Sequence, residues 1–106
     1  MKKLSEILYK VPITALAGNT SIDIVDVQID SRKVQQGSLF VAVKGVAADG
    51  HQFISKAVEQ GAVAIVSEAM PSSTENGITY VQTGNSAEAA GIIAHNFYDQ
   101  PTSRLK

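Results

Sequence analysis

The sequence predicts an α/β domain: a small sheet of about four to five strands, at least partly parallel, with helices packed on it. Three observations carry this. Two uncharged apolar runs, Ser38–Val43 and Ala62–Val66, read as strands buried on both faces. Capped segments at helical spacing follow a strand in each half of the chain. The resulting strand–helix–strand order is that of a layered α/β domain.

In chain order, Leu4, Ile7 and Leu8 fall at helical spacing, so residues 3–9 read as a short amphipathic helix. Pro12 biases Val11 away from helical backbone and ends it. Ile22, Ile24, Val25, Val27 and Ile29, interleaved with Asp23, Asp26 and Gln28, suggest a strand ending near Ile29 or Asp30. Val34–Gly37 reads as a turn, with Gly37 free to take a positive φ. After the Ser38–Val43 strand, Lys44–Gly50 is a loop, and Asp49 with Gln52 matches a helix capping pattern. Ile54, Ala57 and Val58 form that helix's apolar face, and Gly61 is its C-terminal stop. Ala62–Val66 is the next strand, Met70–Gly77 a polar surface loop, and Ile78–Val81 a further strand. Asn85 and Glu88 form a second capping pair, opening a helix that runs to about Tyr98 before Pro101 blocks it.

The 106 residues fit one domain, 1–106, large enough to bury a core although the chain has no cysteine. That absence removes disulfides, thiolate metal sites and a cysteine nucleophile. Nine Lys+Arg are scattered against ten Asp+Glu, without the clustered basic face of a nucleic-acid binder. No apolar run reaches the roughly 18 residues of a membrane span, and no apolar segment follows Lys2 and Lys3 as a signal would require. The expectation is a soluble, cytoplasmic monomer with no nucleic-acid or membrane partner.

A catalytic set is missing. His51 and His95 lie on different predicted helices without a carboxylate at ligand spacing, so no metal site is expected. There is no Gly-x-Ser-x-Gly, no Gly-x-Gly-x-x-Gly and no Gly-x-x-x-x-Gly-Lys-Ser/Thr. Two loops at strand ends remain. In Ile29-Asp30-Ser31-Arg32-Lys33, Ser31 can donate to a polar ligand and Arg32 can pair with phosphate. The structural alternative is that Asp30 and Arg32 only organise the turn. In Lys44-Gly45-Val46-Ala47-Ala48-Asp49-Gly50-His51, flanking glycines and small side chains let backbone approach a ligand. The alternative there is a plain strand-to-helix connection. Ligands of open α/β sheets sit beyond the carboxyl ends of strands, so a shared crevice is expected.

These residues resemble a known family. Asp30-Ser31-Arg32-Lys33-Val34-x-x-Gly37-Ser38-Leu39-Phe40-Val41-Ala42-Val43-x-Gly45, then Asp49-Gly50-His51-x-Phe53-Ile54, Ala57 and Gly61-Ala62, is similar to the N-terminal domain of Mur ligases. The likeness is greatest to the MurE type, which adds the third amino acid, diaminopimelate or lysine, to UDP-N-acetylmuramoyl-L-alanyl-D-glutamate in peptidoglycan synthesis. The MurF type, which adds D-alanyl-D-alanine, shares much of the pattern. The resemblance implies a UDP-binding domain, with contacts at Ile29, Ser31, Val46, Ala47 and Ala48. Arg32 and Lys44 are secondary candidates for phosphate, and Asp30 braces the loop against Arg32. Some relatives carry polar residues where Val46 and Ala47 stand, so recognition here leans on backbone and shape. The resemblance also implies that the family's phosphate loop falls after Leu105-Lys106. ATP, magnesium, the central ATP-binding domain and the C-terminal amino-acid-selecting domain would then belong to the longer enzyme, and these residues alone would be inactive. Set against this ligase reading is a freestanding α/β interaction module with no nucleotide role.

Overall fold

A computed structural model describes residues 2–43, 51–68 and 77–98, excepting the side chains of Ser31, His51, Gln52 and Phe53. Its elements are β1 (Lys2–Lys3), α1 (Leu4–Ile7), β2 (Ile13–Ala17), β3 (Asp23–Ile24), β4 (Asp26–Gln28), β5 (Ser38–Val41), α2 (His51–Glu59), β6 (Ala64–Ser67), β7 (Thr79–Thr83) and α3 (Ser86–Tyr98). A single 3-10 turn, Ser31–Lys33, follows β4.

Five strands form one sheet in the order β2-β7-β6-β5-β4. Strands β4, β5, β6 and β7 run parallel, and β2 pairs antiparallel with β7. The side-chain alternation of the uncharged runs sorts them onto two faces. Leu39, Val41, Ala64, Val66 and Val81 point to one face, where Leu4 and Ile7 of α1 and Ala89 and Ile93 of α3 cover them. Phe40, Ala42, Ile65 and Tyr80 point to the other, beneath Val34 and Ile54 and Ala57 of α2. Both faces are therefore dry, which is why β5 and β6 lack the polar alternation of a half-exposed strand. Each fully buried Leu, Ile, Val or Phe contributes about 1.5–3 kcal/mol.

The predicted strand over residues 22–29 is interrupted. Val25 leaves the ladder and its N–H donates to the Gly37 carbonyl at 3.1 Å. β3 turns instead to pair with β1 in a separate two-stranded ribbon, Lys2 opposite Ile24 and Lys3 opposite Asp23. The predicted helix over 3–9 is correspondingly short, a single turn too brief to stand alone. It is held from outside: Asn96 Nδ2 donates to the Ile7 and Tyr9 carbonyls at 2.8 and 2.7 Å, and Lys2 Nζ donates to the Asn96 carbonyl at 2.6 Å.

β2 is an edge strand the sequence pattern conceals. A register irregularity between Ile13 and Ala15 puts Ile13 opposite Thr83 and Leu16 opposite Val81. Two apolar residues three apart thus share a face, and strict alternation is lost. Both are exposed, with Leu16 at 47%.

Two glycines allow the turns at the amino end of β5 and β6 to touch. Gly37 donates its N–H to the Gly61 carbonyl at 2.9 Å, with φ of +91° and +115° respectively. A Cβ on Gly61 would stand 2.5 Å from the Gln36 Cα. Gly61 is the predicted stop of α2, and a side chain is excluded there twice over.

Candidate nucleotide-binding edge

Because β4 to β7 are parallel, their carboxyl ends all open on one edge of the sheet. β4 and β5 are direct neighbours, with Gln28 opposite Phe40. The chain therefore leaves toward Ile29–Lys33 and toward Lys44 from adjacent positions on the same edge.

After β4, Ile29 stands 63% exposed at the strand tip. Asp30 then builds the turn. Its Oδ1 accepts from the Arg32 backbone N–H at 2.9 Å and from Arg32 Nε at 3.1 Å, while Oδ2 accepts from Arg32 Nη2 at 2.9 Å. The Lys33 N–H donates to the Asp30 carbonyl at 3.0 Å, closing the 3-10 turn that contains Ser31. The Arg32 guanidinium beside it, then the Arg32 backbone N–H, hold the Asp30 carboxyl at about 2 against an ordinary 3.8. Hydrogen bonding to Asp30 raises the Arg32 pKa in return. Arg32's side chain is 81% exposed despite this pairing. The expected bracing of Asp30 against Arg32 is therefore present in both backbone and side chain.

After β5, the Ala42 N–H extends the ladder by one bond to the Val66 carbonyl at 2.7 Å. The Val43 N–H then folds back on the Val41 carbonyl at 3.0 Å, a three-residue turn of the kind found at strand ends. Of the expected contacts, Ile29, Ser31 and Arg32 occupy the β4 tip. Lys44, Val46, Ala47 and Ala48 lie outside the described residues, as does the Asp49 half of the first capping pair.

Sequence reasoning overlooked one acidic group on this edge. Glu68, directly after β6, accepts through Oε2 from the Ser86 N–H at 2.9 Å and from Ser86 Oγ at 2.8 Å. Gln82 Nε2 donates to the Glu68 carbonyl at 3.1 Å. A carboxylate thus occupies the positive end of α3, complementing the Asn85 cap, whose Oδ1 accepts from the Glu88 N–H at 3.0 Å. The available signal was an acidic residue placed directly after a buried, uncharged strand, a pattern approximated by Asp30 after β4. His95 is exposed on α3. Among the described residues no three His, Cys, Asp or Glu could hold a metal ion, and no helix is long and apolar enough to cross a membrane.

A family model described as "Mur ligase family, catalytic domain" matches residues 23–98. The chain belongs to the Mur ligase family. Similar relatives include the UDP-N-acetylmuramoyl-L-alanyl-D-glutamate--2,6-diaminopimelate ligase of Cytophaga hutchinsonii, 45% identical over 98% of this chain and 22% of the relative. The enzyme of the same name from Bacteroides fragilis is 44% identical over 98% of this chain and 21% of the relative. Among solved structures, the UDP-N-acetylmuramoylalanyl-D-glutamyl-2,6-diaminopimelate--D-alanyl-D-alanyl ligase from Acinetobacter baumannii superposes with a TM-score of 0.76. It shares 19% identity, over 94% of this chain and 22% of that structure, and so speaks for the fold. This member of the family spans about a fifth of the length of the curated relatives it matches. The mixed sheet with helices on both faces agrees with the α/β expectation.

Proposed function

We propose that this Mur ligase chain is the N-terminal domain that binds the UDP end of UDP-N-acetylmuramoyl-L-alanyl-D-glutamate, in an ATP-dependent amide ligase adding the third stem-peptide residue. The observation that carries the reading is the 45% identity, along nearly the whole chain, to a ligase named for that substrate. The adjacent β4 and β5 tips support it, because the two strands end side by side at the carboxyl edge of a parallel sheet, where ligands of open α/β sheets bind. Ile29 offers an exposed apolar surface for a flat base, and the Ser31 and Arg32 turn offers donors for phosphate or ribose. Lys44, Val46, Ala47 and Ala48 complete the proposed contact set from the β5 side.

This chain's part is to bind and orient. ATP supplies the activating phosphoryl group, with magnesium assisting, and both belong to the longer cytoplasmic enzyme, with its central ATP-binding domain and its C-terminal amino-acid-selecting domain. The D-alanyl-D-alanine-adding type, which shares much of the sequence pattern, remains the second enzyme reading. Affinity of the detached domain for UDP is weak, since few contacts must offset the cost of association.

The test is a UDP titration of the isotopically labelled chain, followed by amide shifts. Movement concentrated at Ile29–Arg32 and Val46–Ala48 is expected, and Ser31→Ala should weaken it without unfolding the domain. No response at millimolar UDP would instead favour a non-catalytic interaction module.

A further inference from the structure

The turn after β4 uses Asp30 twice, and the two uses are separable. One carboxylate oxygen takes the Arg32 backbone N–H and so shapes the turn. Both oxygens also grip the guanidinium side-on, through Nε at 3.1 Å and Nη2 at 2.9 Å. Turn formation needs only the first contact, as Asx turns throughout proteins demonstrate. The second costs side-chain entropy and holds a long cation that is 81% exposed.

A guanidinium has five N–H donors in one plane, and the grip on Asp30 uses two of them. The remaining three lie along the end and far edge of the fork, directed away from the carboxylate. We propose that Asp30 is a positioning residue for Arg32, presenting this open edge as a fixed fork for the diphosphate of the nucleotide at the β4 tip. The proposal rests on the UDP-binding reading and adds to it the residue that aims the cation. An exposed arginine left to itself samples many rotamers, and ordering it on binding would consume much of the bond it forms. Pre-pairing removes that cost in advance. It also cancels the net charge of the pair, so the fork acts through direction and not through long-range attraction. A lysine could not replace it, because an ammonium lacks the planar two-pronged edge.

Asp30→Asn separates the two uses. The asparagine Oδ1 can still accept the Arg32 backbone N–H and keep the turn, whereas its NH2 group faces Nη2 donor to donor, so the side-on grip falls to the single, uncharged Nε contact and no longer fixes the fork. The experiment compares the Kd of uridine with that of UDP for the 106-residue chain, for Asp30→Asn, for Arg32→Lys and for Arg32→Ala. Amide spectra check that residues 29–33 keep their turn, and the Arg32 Nε–H signal reports whether the fork is held. In the parent chain UDP should bind more tightly than uridine. In Asp30→Asn and Arg32→Lys that advantage should fall by between about threefold and tenfold, and it should fall furthest in Arg32→Ala, which removes the cation altogether. An Asp30→Asn chain that keeps the full advantage overturns the positioning role and leaves the UDP reading standing. Equal affinity of the parent for uridine and UDP also overturns it, leaving recognition of the base. A parent that binds neither compound overturns both.

Discussion

Replacing Phe40 by alanine tests the layered core from which both strand tips project. Phe40 lies in β5, flanked by β4 and β6, is 2% exposed, and packs in the cluster of Val34, Ile54, Ala57, Ile65 and Tyr80. A buried aromatic ring removes about 150–250 Å² from water, worth about 4–6 kcal/mol at about 25 cal/mol per Å². Alanine retains part of that, while the cavity adds a penalty because neighbours collapse only partly, so the expected loss is about 3–5 kcal/mol. A domain of this size has about 5–15 kcal/mol in all. The variant should therefore unfold at least about 12 °C below the parent. Urea denaturation followed by far-ultraviolet circular dichroism measures the loss, and Phe40→Leu should fall between the two. Ile29→Ala, at an exposed strand tip, serves as control and should stay within about 0.5 kcal/mol. A Phe40→Ala loss below about 1 kcal/mol would refute the two-faced burial of β5.

Gly61→Ala combines a positive φ with a Cβ placed 2.5 Å from the Gln36 backbone, so it should cost at least about 2 kcal/mol in thermal denaturation. A loss under 1 kcal/mol, on the order of an ordinary helix-end change, would mean the two turns do not touch as described. Asp30 should titrate near 2 by carboxyl carbon resonance and return toward 3.8 in Arg32→Ala. Since its folded value lies below the unfolded one, the ion pair's contribution is complete above about pH 4 and disappears as pH falls toward 2. An Asp30 midpoint near 3.8 in the parent chain would contradict the pairing.

Local signals in the sequence transmitted well. Ser38–Val43 and Ala62–Val66 announced strands through missing charge, and Asn85 announced the start of α3 because its bond to the Glu88 N–H spans three residues. Asp30 with Arg32 was equally readable, being two residues apart. What failed to show was non-local. The irregularity at Ile13–Ala15 erased the period of β2, whose place is set by pairing with β7 far along the chain. The break at Val25 accompanies the pairing of β3 with β1, about twenty residues earlier in the chain, and Glu68 meets Ser86 only once β6 and α3 are assembled. The pairing of β4 with β5, which ends the two strands that lead to the candidate loops beside each other, is likewise a property of strand order and not of any motif.

The two borders of the main sheet are finished differently. Along β4, the Tyr98 hydroxyl lies 3.3 Å from both the Val27 carbonyl and Asp26 Oδ1, and Asp26 adds a charge. Along β2, the stretch from Val11 to Ser21 has no charged residue at all. Judged by charge and by contacts among the described residues, an added strand would meet a guarded rim along β4, whereas the rim along β2 lacks that charge protection.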